Sequence, residues 1–204
     1  MNNIDEKIAK LKMSQRLQKE DVEKESLKED VEIKEQKITL EEVIKQIEQG
    51  EVRIQETKLK FEKISFLNGI LEMHIPIGYF EEKENNSNSI SLVNEFYGIS
   101  FTANYIPKGA VKQSFAKFKK GMEKGFKEME LYLEWIEEGE IGEGFNKINY
   151  GVYKNPTGKG NLYNVIFYRQ KKDTVFIGNY NCFFKDIKVW ELIIKATMHL
   201  IKIN

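Results

Sequence analysis

From Thr57 onward the chain alternates, with Thr57, Leu59 and Phe61 on one side and then, one step out of phase, Ile64 and Phe66. That is the period of a β-strand interrupted by a bulge. Asn68-Gly69 stands between apolar runs and predicts a hairpin, because both turn positions favour positive φ. The return strand covers residues 70–75 and stops at Pro76; short strands at 90–93 and 97–105 follow, separated from it by the polar loop 85–89. The period then lengthens. Val111, Phe115, Phe118, Met122, Phe126 and Met129 fall on one narrow stripe, predicting a helix over 110–129 with that stripe in the core. Gly121 and Gly125 lie beside the stripe and cost roughly 1 kcal/mol each against alanine, which close packing of the helix on a sheet would offset. Alternation returns at Met129, Leu131, Leu133 and Trp135, and again over 148–153, 162–169 and 174–184, the last two joined through Lys171-Lys172-Asp173. Asp186 is placed to cap a closing helix that buries Ile187, Trp190, Ile193, Ile194, Thr197 and Ile201.

Strands, a helix, several antiparallel strands and a final helix predict an α+β fold in which two helices cover one face of an antiparallel sheet. A charged helical extension precedes it. The first 49 residues contain no glycine, proline or aromatic residue, and 19 of the first 37 are charged. Pairs at Glu6/Lys10, Glu20/Lys24 and Asp30/Lys34 support helix by only about 0.3 kcal/mol each. The apolar positions Ile4, Ile8, Leu11, Leu17, Val22, Leu27, Val31 and Ile38 drift in phase, so the segment reads as a solvated helix or as one ordered by a partner or a second copy of the chain. A further helix begins at the capping box Thr39-Leu40-Glu41-Glu42, carries Leu40, Val43, Ile44 and Ile47 on one stripe, and stops at Gly50. The expected division is 1–55 for the extension and 56–204 for the α+β domain.

Composition adds what the chain is not built for. Basic and acidic residues balance at 32 each, and residues 61–204 hold 19 basic against 17 acidic side chains, too even for a nucleic-acid footprint despite the lysine-rich helix and Tyr168-Arg169-Gln170-Lys171-Lys172. No apolar run reaches the roughly 18 residues of a membrane span and no signal-peptide core is visible, so the expected location is the cytoplasm. The single cysteine, Cys182, excludes an internal disulfide and sits in an aromatic strand where burial would silence it. His74 and His199 stand alone, without metal-ligand spacing. Gly142-Glu143-Gly144 and Gly158-Lys159-Gly160 lack the remaining glycines of phosphate-binding loops and read as turns; the acidic run 137–143 lacks calcium-loop spacing. No cofactor motif and no catalytic constellation is present, so the expectation is a non-enzymatic protein.

The strand entering proline at Ile70-Leu71-Glu72-Met73-His74-Ile75-Pro76, the strand Ile99-Ser100-Phe101-Thr102, the helix over 110–129, the antiparallel run and the closing helix ending in Leu200-Ile201 together resemble a known fold. It is the domain shared by photosystem PsbP, the Ran-binding Mog proteins and the bacterial DcrB and Eag proteins, and the resemblance covers about residues 57–204. Members of that group mostly bind other proteins. The Eag proteins shield hydrophobic segments of secreted toxin effectors before export, and the resemblance implies a cytoplasmic chaperone or adaptor for such an effector. An alternative is an immunity protein that neutralises a cognate toxin through the acidic loop 137–143. If two helices cover only one face, the other face or its edge would hold the partner segment, and Tyr132, Ile136, Asn164 and Tyr168 are the candidate contact residues.

Overall fold

Thr39 closes a capping box in the computed structural model, which describes residues 38–142, 144 and 147–204. Its hydroxyl accepts from the Glu42 amide at 3.3 Å while the Glu42 carboxylate accepts from the Thr39 amide at 2.8 Å, starting helix α1 (Leu40–Glu48). Gly50, at φ 87°, ends the helix. The readings made for residues 1–37 lie outside the described residues. Thr39–Asn204 form one compact unit, so the expected boundary at 55/56 falls inside it. The reason is the stripe on α1: Val43 and Ile47 are buried, and α1 packs on the closing helix of the chain.

Strands β1 (Glu51–Ile54), β2 (Thr57–Phe66) and β3 (Leu71–Pro76) form a small antiparallel sheet, completed by β11 (Lys202–Ile203) in the order β1-β2-β3-β11. Strand β2 pairs with β1 through residues 57–60 and with β3 through residues 61–66, without a register shift. The phase change after Phe61 therefore marks a change of partner and not the expected bulge. The Asn68-Gly69 hairpin joins β2 to β3 as expected, but through a longer turn that also holds the buried Leu67 at φ 54°.

The larger sheet contains β4 (Glu81–Asn85), β5 (Ser89–Asn94), β6 (Ile99–Ile106), β7 (Glu134–Ile141), β8 (Ile148–Thr157), β9 (Gly160–Lys171) and β10 (Thr174–Phe183), ordered β4-β5-β6-β10-β9-β8-β7 with every pair antiparallel. Register aligns Phe101, Tyr180, Val165 and Val152 on one face and Asn181, Asn164 and Tyr153 on the other. Gly178 exists for the first face: a Cβ there would stand 2.2 Å from the ring of Phe167.

Two helices complete the unit, α2 (Phe115–Glu128) and α3 (Ile187–Leu200). They do not share a face. Helix α3 touches α1, β3 and β10, and its Lys195 reaches Glu137 on the face that carries Val152 and Val165. Helix α2 lays Phe118 on Tyr168 and Phe126 against Tyr153, side chains that alternate with Phe167 and Val152 and so point the opposite way. An amphipathic stripe states that a helix has a buried side, not which sheet face it meets. The fold is thus mixed α+β and mostly antiparallel, with α2 on one face of the larger sheet and α3 on the other. Asp186 occupies the cap position of α3, but its side chain accepts no bond from the first turn. Among the described residues no helix is long and apolar enough to cross a membrane.

Candidate functional site

Helix α2 starts five residues later than its stripe predicts. Residues 110–113 are held extended across the end of the sheet by Gln170, whose Oε1 accepts from the Gln113 amide at 2.9 Å and whose Nε2 donates to the Val111 carbonyl at 3.2 Å. Ser114 then caps the helix, its hydroxyl accepting from the Lys117 amide. Val111 and Met129, expected in the core, are exposed. None of the fourteen residues of α2 is buried; Phe115, Phe118, Met122 and Phe126 are half-buried. The glycines do not bring the helix closer to the sheet either, since a Cβ added at Gly121 or Gly125 would meet nothing within 4 Å. The close approach occurs below, at Gly151, where a Cβ would stand 2.7 Å from the Trp135 ring.

What holds α2 down is aromatic and charged. The Phe118 ring stacks on Tyr168 at 4.8 Å, and Phe126 and Trp135 meet Tyr153 edge-on at 5.8 and 5.3 Å. The Trp135 Nε1 donates to Glu123 at 2.8 Å, while Lys119 lies 4.4 Å over the Trp135 ring and pairs with Glu138. At the helix end Glu130 adopts φ 56° and the Leu131 amide returns to the Phe126 carbonyl at 2.8 Å. The expected strand over 129–135 is consequently a turn, and β7 begins only at Glu134. This turn leaves a cleft of about 280 Å³ lined by Glu123, Phe126, Lys127, Glu130 and residues 131–133. Leu131 and Tyr132 on it are exposed, as is Met129 on the turn that leads into it.

The four candidate contact residues separate into two pairs. Tyr132 is 59% exposed on the cleft, and Ile136 is 50% exposed at the bulge between Trp135 and Glu137 on β7, an edge strand. Asn164 and Tyr168 are 4% and 2% exposed. Asn164 donates to Asn155 at 2.7 Å, and the Tyr168 hydroxyl donates to Gln170 at 2.9 Å beneath α2. Tyr168 supports the helix and Asn164 is buried within the sheet on the same face, because α2 covers the very face that was expected to be open. The alternation of Met129, Leu131, Leu133 and Trp135 predicts a strand and the helical stripe places Phe126 in the core, so no local signal marks this turn.

The acidic run on β7 is committed within the chain. Glu137 bonds Lys195 and the Tyr150 hydroxyl, both at 2.7 Å, while Glu138 pairs with Lys119 and Glu140 with Lys147. Burial pushes the Glu137 carboxyl up, but the bonds from Lys195 and Tyr150 outweigh it and leave it below the usual range. On the same face as Glu137, Cys182 is buried and its thiol is pushed up to about 12, by burial first and then by Asp186 and Glu191. Burial and then the Lys63 ammonium hold His74 below the usual histidine value.

No protein-family model matches the chain, and no curated protein is similar to it in sequence. Solved structures are similar in fold. The cyanobacterial PsbP protein CyanoP from Synechocystis sp. PCC 6803 superimposes with a TM-score of 0.56 at 6% identity, over 75% of this chain and 98% of that one. A Pseudomonas aeruginosa protein of unknown function, described as a putative regulator, gives a TM-score of 0.43 at 13% identity over 73% of this chain and 92% of that one. A Bacteroides thetaiotaomicron VPI-5482 protein gives 0.44 at 9% identity, over 70% of this chain and 48% of that one. The likeness to CyanoP shows a PsbP-like fold and, at that identity, the fold alone.

Proposed function

We propose that this chain is a non-catalytic protein-binding module, a chaperone or adaptor that holds an apolar segment of a partner at the corner between α2 and β7. One observation carries the reading: a helix with a continuous apolar stripe has none of its residues buried, and the turn that follows it exposes Met129 and, lining a cleft, Leu131 and Tyr132. Exposed apolar surface rimmed by charge is the usual mark of an interaction site. The Eag-like role, shielding a hydrophobic segment of a secreted effector, fits this surface, and Ile136 on the β7 edge extends it along a strand able to pair with an extended peptide.

The test is site-directed photo-crosslinking of the full chain, with a photoreactive residue at Tyr132, at Ile136 or, as a control on the other sheet, at Lys60. The partner added is a synthetic leucine-rich amphipathic peptide. The reading expects adducts at Tyr132 and Ile136 that Leu131→Asp abolishes. Equal labelling at Lys60, or none at the corner, would count against it.

A further inference from the structure

A second exposed apolar feature lies on the hairpin tip between β5 and β6, among residues the α2 corner does not use. Phe96 is 88% exposed there, while the other phenylalanines among the described residues are buried or half-buried. It is not a stray side chain. Its ring meets Tyr97 edge-on at 4.8 Å, Tyr97 stacks on Tyr79 at 5.4 Å, and Tyr79 meets the buried Trp190 of α3 at 5.2 Å, forming a column of rings from solvent to core. The tip is fastened in place. Asn94 accepts from the Tyr97 amide at 3.1 Å and donates to the Tyr79 carbonyl at 2.6 Å, and Gly98, at φ 63°, admits the Phe183 ring where a Cβ would stand 2.1 Å from it. A rigid aromatic surface loses little entropy when it is covered, which is the property of a binding anchor.

Charge selects the occupant. Glu95 on the tip and Glu81, paired opposite Val93 at the start of β4, set two carboxylates there against one lysine. That lysine, Lys83, is held between Glu81 at 2.8 Å and Glu95 at 3.3 Å. A neutral apolar partner would strip water from these carboxylates without replacement, and an anionic membrane surface would be repelled. A guanidinium answers both features, since its face stacks on an aromatic ring while its edge forks onto a carboxylate. We propose that the Tyr79–Phe96–Tyr97 tip is a docking surface for an arginine-bearing segment of a partner protein. The proposal stands apart from the α2 corner, and either site can fail without the other.

The experiment follows Trp190 fluorescence in the full chain with Trp135→Phe, titrated with a synthetic peptide of alternating glycine and arginine. Alternating glycine–glutamate and glycine–leucine peptides and phosphatidylglycerol vesicles serve as comparisons. The arginine peptide is expected to bind, Phe96→Ala to weaken it about tenfold and Glu95→Gln about threefold. Phe96→Ala should leave the urea midpoint unchanged, because the ring is already in water. Absence of arginine-peptide binding, equal affinity in Phe96→Ala, equally tight leucine-peptide binding, or vesicle binding that depends on Phe96 would each overturn the assignment. So would light scattering that shows Phe96→Ala converting a dimer to a monomer, since the occupant would then be a second copy.

Discussion

Helices α2 and α3 are each fourteen residues long and each amphipathic, yet one is embedded and the other is laid on. In α3, Trp190, Ile193, Ile194, Ala196, Thr197 and Met198 are buried, with contacts to strand β3 of the small sheet and to strand β10 of the larger one. In α2 no residue is, because the helix meets one sheet face and, among the described residues, has no layer above it. The difference teaches that periodicity reports the direction of a helix's apolar side, whereas burial depends on how many layers the fold places around it. A helix covered once keeps apolar surface in reserve, and that reserve is where a partner can be held.

The sharpest way to break the comparison is to truncate both helices. Ile194→Ala in α3 should cost about 2–5 kcal/mol through lost burial and a residual cavity. Phe118→Ala in α2 should cost only about 1–2 kcal/mol, although it removes more atoms, because the ring is already partly hydrated. Urea midpoints at matched m-values decide it. Equal losses would mean that α2 is as deeply integrated as α3 and holds no reserve. On the face that α3 covers, Gly178→Ala tests close packing: a Cβ pressed into the Phe167 ring should destabilise by about 1–3 kcal/mol.

The contact between β7 and α3 has a pH signature. Glu137 titrates below the usual carboxylate range in the folded chain, so it stabilises the fold above the unfolded carboxylate value and loses that contribution as pH falls through its own lower value. In that window the unfolded chain binds the extra proton and stability rises with pH. Acid unfolding followed by circular dichroism should therefore lose steepness below pH 4.5 in Glu137→Gln, and Lys195→Met should shift the same limb. An unchanged acid limb in both variants would show that the bonds at 2.7 Å contribute nothing to folding.

Much of the fold was legible in the chain and the site only half so, for a common reason. The Thr39 capping box, the 171–174 hairpin and the two helical stripes are local signals, and each appears as its element, although the 110–129 stripe yields a helix only over Phe115–Glu128. Strand β4 was not legible, because Glu81-Glu82-Lys83-Glu84-Asn85 has no apolar face to alternate. Tyr132 and Ile136 lie on a turn and an edge, where exposure follows from position. Asn164 and Tyr168 lie in the central strand β9, where every residue from Tyr163 to Arg169 is buried, so a period of two cannot say which face a residue serves. The covering of that face by α2 is a tertiary fact with no local trace.

The smallest effect separates the helices most cleanly, because its sign is at issue. If α2 is merely laid on, Gly121 and Gly125 serve no packing purpose, and alanine at either should stabilise the chain by about 0.5–1 kcal/mol through backbone entropy alone. Amide exchange locates the gain: α2 amides should open at lower free energy than α3 amides in the parent chain, and the alanine variants should narrow that gap without changing α3. A partner held at the corner would respond as well, since a stiffer α2 keeps Phe126 and the Leu131 turn in place. Loss of stability in either variant would mean that the glycines need a backbone freedom this structure does not display, and α2 would then have to be read as a hinge instead of a cover.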